Sequence, residues 1–209
     1  MGVRQQRTWT VLLIGGNSKV AMSEVSESLG KDYDTTWMRV NDILLALRHG
    51  GFCSPDTHPA LYPPMRGKRF THSVDELTQH LVGLGRFMSP VIDSLVMRHL
   101  MRDEPIIIEG DCILPARIAR QMTTQGTEEI GRVRSVFIIE PDATIILTSI
   151  MKRNQGPERE VDADMRTEAQ TVWQYGQWLT GEANQCSVPV IEPRPFETLH
   201  DRIFAAITS

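Results

Sequence analysis

Apolar residues along this chain alternate between short continuous runs and longer stretches of helical spacing. Val11-Leu12-Leu13-Ile14 runs straight into Gly15-Gly16, the pattern of a strand buried on both faces. From Ser23 to Leu29 the apolar residues Val25 and Leu29 stand four apart, and Gly30 occupies a C-cap position, so a strand, a glycine turn and a helix are predicted in that order. Thr35 to Val40 is a second strand ending at Asn41-Asp42, and Ile43 to Arg48 opens a helix that Asp42 can cap. Gly50 to Lys68 holds four prolines and three glycines without periodicity, which predicts a long loop. Two helices follow, Val74 to Leu84 and Pro90 to Arg102.

Further runs repeat the opening theme. Pro105 to Gly110, Val133 to Ile139 and Val188 to Ile191 are three more strands, separated by helix-length stretches. Thr144 to Ile150 is β-branched, yet Pro141-Asp142 ahead and Lys152-Arg153 behind are helix start and stop signals, and a helix is expected. Met165 to Asn184 reads as a long helix. The alternation predicts an α/β protein with a five-stranded, mostly parallel sheet and helices on both faces. Ligands of such sheets bind beyond the carboxyl ends of the strands. That places Gly15 to Ser23, Asn41-Asp42, Glu109 to Asp111 and Glu192 to Phe196 on one face.

At 209 residues the chain is about 1.4 times a ~150-residue domain, and one domain spanning 1–209 is expected. With 22 basic against 26 acidic residues the net charge is −4, so no sequence-wide positive field exists for nucleic acid. Small molecules are the expected partners, and a homo-oligomer is left open. Cys53, Cys112 and Cys186 lack the spacing of a disulfide framework or a zinc site, which fits a reducing cytoplasm. No apolar run approaches the ~20 residues of a membrane helix, and the start is polar, with no secretory signal.

The Val11–Ser23 run, Asn41-Asp42, Ile107-Ile108-Glu109-Gly110 with Leu114-Pro115, and Pro189-Val190-Ile191 leading to Arg194-Pro195-Phe196-Glu197-Thr198-Leu199 together resemble the P-loop small-molecule kinases. Within them the sequence is most similar to the 2-phosphoglycerate kinase-like and chloramphenicol phosphotransferase-like members. The resemblance implies a nucleoside-monophosphate-kinase-like three-layer fold, a substrate region at about 50–102 and a lid at about 152–166. It also implies ATP and Mg²⁺ as cofactors.

A phosphate loop has the form G-x-x-x-x-G-K-[ST]. Gly16 and Ser23 match its ends; Ala21 replaces the second glycine, Met22 the lysine, and Lys19 stands inside. The loop is degenerate at its catalytic centre. Losing one preorganised stabiliser of transferring charge costs about 10²–10³ in rate, unless Lys19 brings an ammonium in from the other side. The resemblance assigns Gly15, Gly16, Asn17, Ser18, Lys19, Val20, Ala21, Met22 and Ser23 to the phosphates, and Arg194 and Phe196 to the base. It assigns Ser23 and Glu109 to the metal, Asp42 to the acceptor hydroxyl, and Arg153 to the lid clamp. Arg48 and Asp111 are candidate substrate contacts. Each has a plainer reading: the glycines as a tight turn, Met22 as packing, Asp42 as a cap, Arg153 within a solvated mixed-charge face. The leading expectation is a kinase-like protein that binds a nucleotide or another phosphorylated ligand, with phosphoryl transfer weak or absent. An active small-molecule kinase and an interaction module that keeps only the fold are the alternatives.

Overall fold

The computed structural model describes residues 7–17, 19–66, 69–116, 131–153 and 162–208, with the backbone alone at Lys19, Val20 and Arg66. Strand β1 (Val11–Gly16) leads into helix α1 (Lys19–Asp32), β2 (Thr36–Arg39) and α2 (Val40–His49). A short hairpin of β3 (Met65–Arg66) and β4 (Arg69–Phe70) precedes α3 (Val74–Arg102), β5 (Ile106–Glu109) and β6 (Val133–Ile138). Then come α4 (Ala143–Arg153), α5 (Ala163–Gln185), β7 (Val190–Ile191) and α6 (Leu199–Thr208).

The main sheet has the order β2-β5-β1-β6-β7, and every pairing in it is parallel. This is the predicted five-stranded α/β sheet, with β1 at its centre. Successive residues of β1 point to opposite faces, and both faces are buried. Val11 and Leu13 join Ile106, Ile108, Val133 and Phe137 under α3 and α5. Leu12 and Ile14 join Ile107, Val136 and Ile138 under α1 and α6. Each fully buried side chain of this kind stabilises the fold by roughly 1.5–3 kcal/mol, which is why continuous apolar runs mark the strands. A third cluster, around Ile146, Ile150, Met165 and Ala169, joins α4 to α5. Among the described residues no helix is long and apolar enough to cross a membrane.

Several local expectations change. The two helices expected on either side of Pro90 are one, α3, with Pro90 inside it. Leu84, Met88, Ile92 and Val96 keep one buried stripe across the proline, and that packing outweighs the lost backbone hydrogen bond. Ser73 and Glu76 form a capping box at its start. Gly30 does not cap α1, which runs on to Asp32. The left-handed residue is Asp34, at φ 51°, while Thr35 N–H donates to the Gly30 carbonyl at 2.9 Å. Strand β2 passes directly into α2, so Asp42 lies inside that helix's first turn instead of capping it, and the cap position falls on Arg39. The proline-rich stretch is not featureless: it carries a 3-10 turn at Pro59–Leu61 and the β3–β4 hairpin, with Leu61 fully buried.

Candidate functional site

In the parallel order β2-β5-β1-β6-β7, β2 and β6 lie on opposite sides of the neighbouring strands β5 and β1, and ligands of such sheets bind at the strands' carboxyl ends. A cleft of about 450 Å³ lies there, lined by Met22, Ser23, Glu24, Arg39, Asn41, Asp42, Glu109 and Asp111. Three elements supply it: the first turns of α1, the β2–α2 junction and the end of β5.

The glycines at the end of β1 are demanded by packing. A Cβ on Gly15 would enter the Phe137 ring, and one on Gly16 would overlap the Ile138 carbonyl. Gly16 also has φ +140°, a conformation that disfavours other residues. Asn17 is buried; its Nδ2 donates to the carbonyls of Glu140 and Val172, each at 3.2 Å, and its Oδ1 accepts from Glu140 N–H at 2.7 Å. The Asn17 N–H donates to the Ile138 carbonyl at 3.2 Å. The side chain of Asn17 thus fastens β1 to β6 and α5. Ser18 lies outside the described residues, as do the side chains of Lys19 and Val20.

Ala21 and Met22 are 2% and 1% exposed and belong to the apolar cluster of Leu12, Ile14 and Val25. The thioether is in the core at the position where the loop motif places an ammonium. Ser23, next to it, faces the cleft and donates its hydroxyl to Glu109 Oε1 at 2.8 Å. Arg39 Nε stands 3.3 Å from the same oxygen, and its guanidinium lies over the Trp37 ring, 4.7 Å from the centroid. Burial pushes the Glu109 carboxyl above the ordinary glutamate value; Ser23 and Arg39 oppose that push, and Asp111 and Asp42 add to it.

Asp42 is exposed on the cleft rim, and the buried Oδ1 of Asn41 has no hydrogen-bond partner among the described residues. Arg48 is turned toward the proline-rich loop. Its Nε donates to the Leu61 carbonyl, while Tyr62 OH donates to the carbonyls of Arg48 at 3.2 Å and Cys53 at 2.8 Å. Burial lowers the Arg48 pKa, and the nearby Asp111 charge opposes it. The Asp111 carbonyl accepts from Tyr175 OH at 2.7 Å.

The remaining expected residues lie apart from the cleft lining. Arg153 pairs with Glu168 at 2.7 Å, joining α4 to α5. Of the expected lid, residues 154–161 lie outside the described residues. Arg194 Nη2 donates to Glu140 Oε1 at 2.8 Å, and Phe196 is 54% exposed.

Two participants escaped the sequence reading, Arg39 and Glu140. For Arg39 a signal existed: it ends a strand immediately before Asn41-Asp42, and it sits two residues from Trp37, on the same strand face. The oxygens of Ser23 and Glu109 are the kind a magnesium ion takes. An ion bonded directly to Glu109 Oε1 would compete with the Ser23 hydroxyl and stand against the Arg39 guanidinium, so that oxygen does not suit one.

No family model and no curated protein matches the sequence. Among solved structures, a gluconokinase from Sinorhizobium meliloti 1021 is similar over 97% of this chain and 94% of its own, with 9% identity and a TM-score of 0.49. A thymidylate kinase from Candida albicans covers 96% of this chain and 92% of its own, at 12% identity and a TM-score of 0.45. A dephospho-CoA kinase from Campylobacter jejuni covers 96% of each chain, at 9% identity and a TM-score of 0.45. The chain's own five-stranded parallel sheet, of order β2-β5-β1-β6-β7, is an α/β architecture.

Proposed function

We propose that the chain binds a nucleotide or another phosphorylated small molecule in the cleft between α1, β2 and β5, with phosphoryl transfer weak or absent. One observation carries this reading: two adjacent residues of α1 have parted company. Both border the cleft, but Ser23 turns its hydroxyl to Glu109 there, whereas the Met22 side chain is almost wholly buried in the core. The site keeps its place at the switch point, with the amide-rich start of a helix beside it. The Met22 position supplies no ammonium to neutralise charge as a phosphoryl group moves.

A second reading, an active kinase acting on the hydroxyl of a metabolite such as a phosphoglycerate-like acid, draws on Asp42 and the unpartnered Asn41 Oδ1 at the rim. Together they suit a hydroxyl donor, the carboxylate to receive its proton and the amide to orient it. In that reading Lys19 or Arg153 replaces the missing charge. The resemblance to 2-phosphoglycerate kinase-like and chloramphenicol phosphotransferase-like proteins is the basis for a small hydroxylated acceptor and for ATP as donor, and the scattered cysteines are the basis for a cytoplasmic protein.

The test is thermal unfolding with ATP, ADP and pyrophosphate, followed by turnover of the wild type and of the double variant Ala21→Gly/Met22→Lys. A ligand at 100 times its Kd stabilises by about 2.7 kcal/mol, or roughly 5–10 °C for a chain of this length. Wild-type turnover is expected at or below detection, and the double variant is expected to raise it about 10²–10³-fold. Wild-type ATP turnover that depends on Asp42 would establish the second reading instead. No shift with any of the three compounds at millimolar concentration would leave an interaction module.

A further inference from the structure

Arg39 is the single cationic side chain among the described residues lining the cleft. Its position is fixed from two directions, by the Trp37 ring beneath the guanidinium and by Glu109 Oε1 beside Nε. Those contacts occupy one edge and one face of the group. Its two Nη groups donate to no described residue, and the side chain is 45% exposed. A planar fork whose two terminal donors engage no described residue has the geometry that grips a phosphate oxygen pair. Stacking on an indole also reduces the freedom the group must surrender on binding.

The same geometry bears on the metal that a phosphate loop ordinarily shares with its ligand. A divalent ion bonded to Glu109 Oε1 would have to break the Ser23–Glu109 hydrogen bond and stand against the guanidinium, charge to like charge. The Met22 side chain, meanwhile, leaves a phosphate with no ammonium from that position of the loop.

We propose that Arg39 is the phosphate-binding cation of this cleft, and that it stands in for the divalent ion, so that a phosphate or pyrophosphate group is held without metal. The inference rests on the reading of the cleft as a site for phosphorylated ligands. Glu109 and Ser23 become positioning residues: the carboxylate aims the guanidinium, and the hydroxyl fixes the carboxylate.

Calorimetric titration of the full chain with pyrophosphate and with ADP, in excess Mg²⁺ and again in EDTA, tests it. The wild type should bind at least one probe with affinities in the two buffers that agree within about twofold. Arg39→Ala should weaken binding by about tenfold or more, the scale of a lost charged hydrogen bond, and Arg39→Lys should weaken it less. Trp37→Leu keeps the charge and removes its support, so a smaller loss of about threefold is expected there. Thermal unfolding of each variant alone separates loss of binding from loss of fold. Binding that appears only with Mg²⁺, or binding by a folded Arg39→Ala equal to wild type, overturns the inference and leaves the phosphate site standing. No binding of either probe to the wild type in either buffer overturns both.

Discussion

Glu109 and Glu140 answer to one description: each follows a run of buried apolar residues at the carboxyl end of a parallel strand, each is nearly inaccessible, and each faces an arginine. They differ in what completes their surroundings. Glu140 Oε1 accepts from Arg194 at 2.8 Å and from Asp142 N–H at 3.0 Å, and Asn17 takes up its backbone N–H and carbonyl. Glu109 likewise takes two partners on one oxygen, a serine hydroxyl at 2.8 Å and a guanidinium, but the guanidinium stands at 3.3 Å and burial disfavours the acid's charge. A buried acid supplied with its own partners is scaffold. One more loosely paired with its arginine at the mouth of a cleft is placed to meet a ligand, and the contrast separates structure from site where residue type does not.

The largest effect should come from Glu140→Ala, which strands a partly exposed arginine and a backbone N–H. About 2–3 kcal/mol should be lost, lowering Tm by roughly 5–10 °C. A calorimetric loss below about 0.5 kcal/mol would put the two acids in one class and erase the contrast.

Glu109→Gln should cost less, within about 1 kcal/mol of wild type at neutral pH, and its diagnostic is a pH slope. A carboxyl whose folded pKa lies above the ordinary value of 4.5 holds its proton more firmly folded than unfolded. Its contribution is therefore complete below that value and is lost as pH rises through the folded pKa. Urea unfolding of wild type and Glu109→Gln between pH 4 and 8 should show the wild type losing stability relative to the variant as pH rises. The opposite slope would mean that Arg39 and Ser23 outweigh burial.

The smallest change is expected from Arg153→Ala. Arg153 and Glu168 approach to 2.7 Å, closer than Arg39 and Glu109, yet half of the arginine side chain is exposed. Exposed pairs contribute little, so Tm should move by less than about 2 °C. A larger shift would make separation, rather than burial, the quantity that ranks these pairs.

All five strands of the main sheet were legible in the sequence; β1 and β5, buried on both faces, read as unbroken apolar runs, and β6 ends in one, Val136-Phe137-Ile138, after Arg134 and Ser135. The long α3 was not, since Pro90 is a break in any local reading and the stripe that carries the helix past it is a tertiary fact. Glu109 was singled out as an acid after three isoleucines; Glu140, after Ile138-Ile139, carries the same signal, and only the partners tell them apart. Asn17 shows the reverse. Its place in the glycine turn suggested a phosphate contact, while its side chain bonds to residues 123 and 155 positions away, a relation no spacing along the chain encodes. Arg39 belongs to no motif, and its place is set by Trp37 and Glu109, the second of them on a neighbouring strand 70 positions away.

The Asn17 clamp also sets when the turn acquires its shape. Gly176 approaches so closely that any Cβ there would strike the Asn17 amide, and the amide in turn joins the ends of two strands and a helix. The entry to the turn is therefore ordered by folding itself, and no bound anion is needed to organise it. Association draws on a surface whose entropy has already been surrendered.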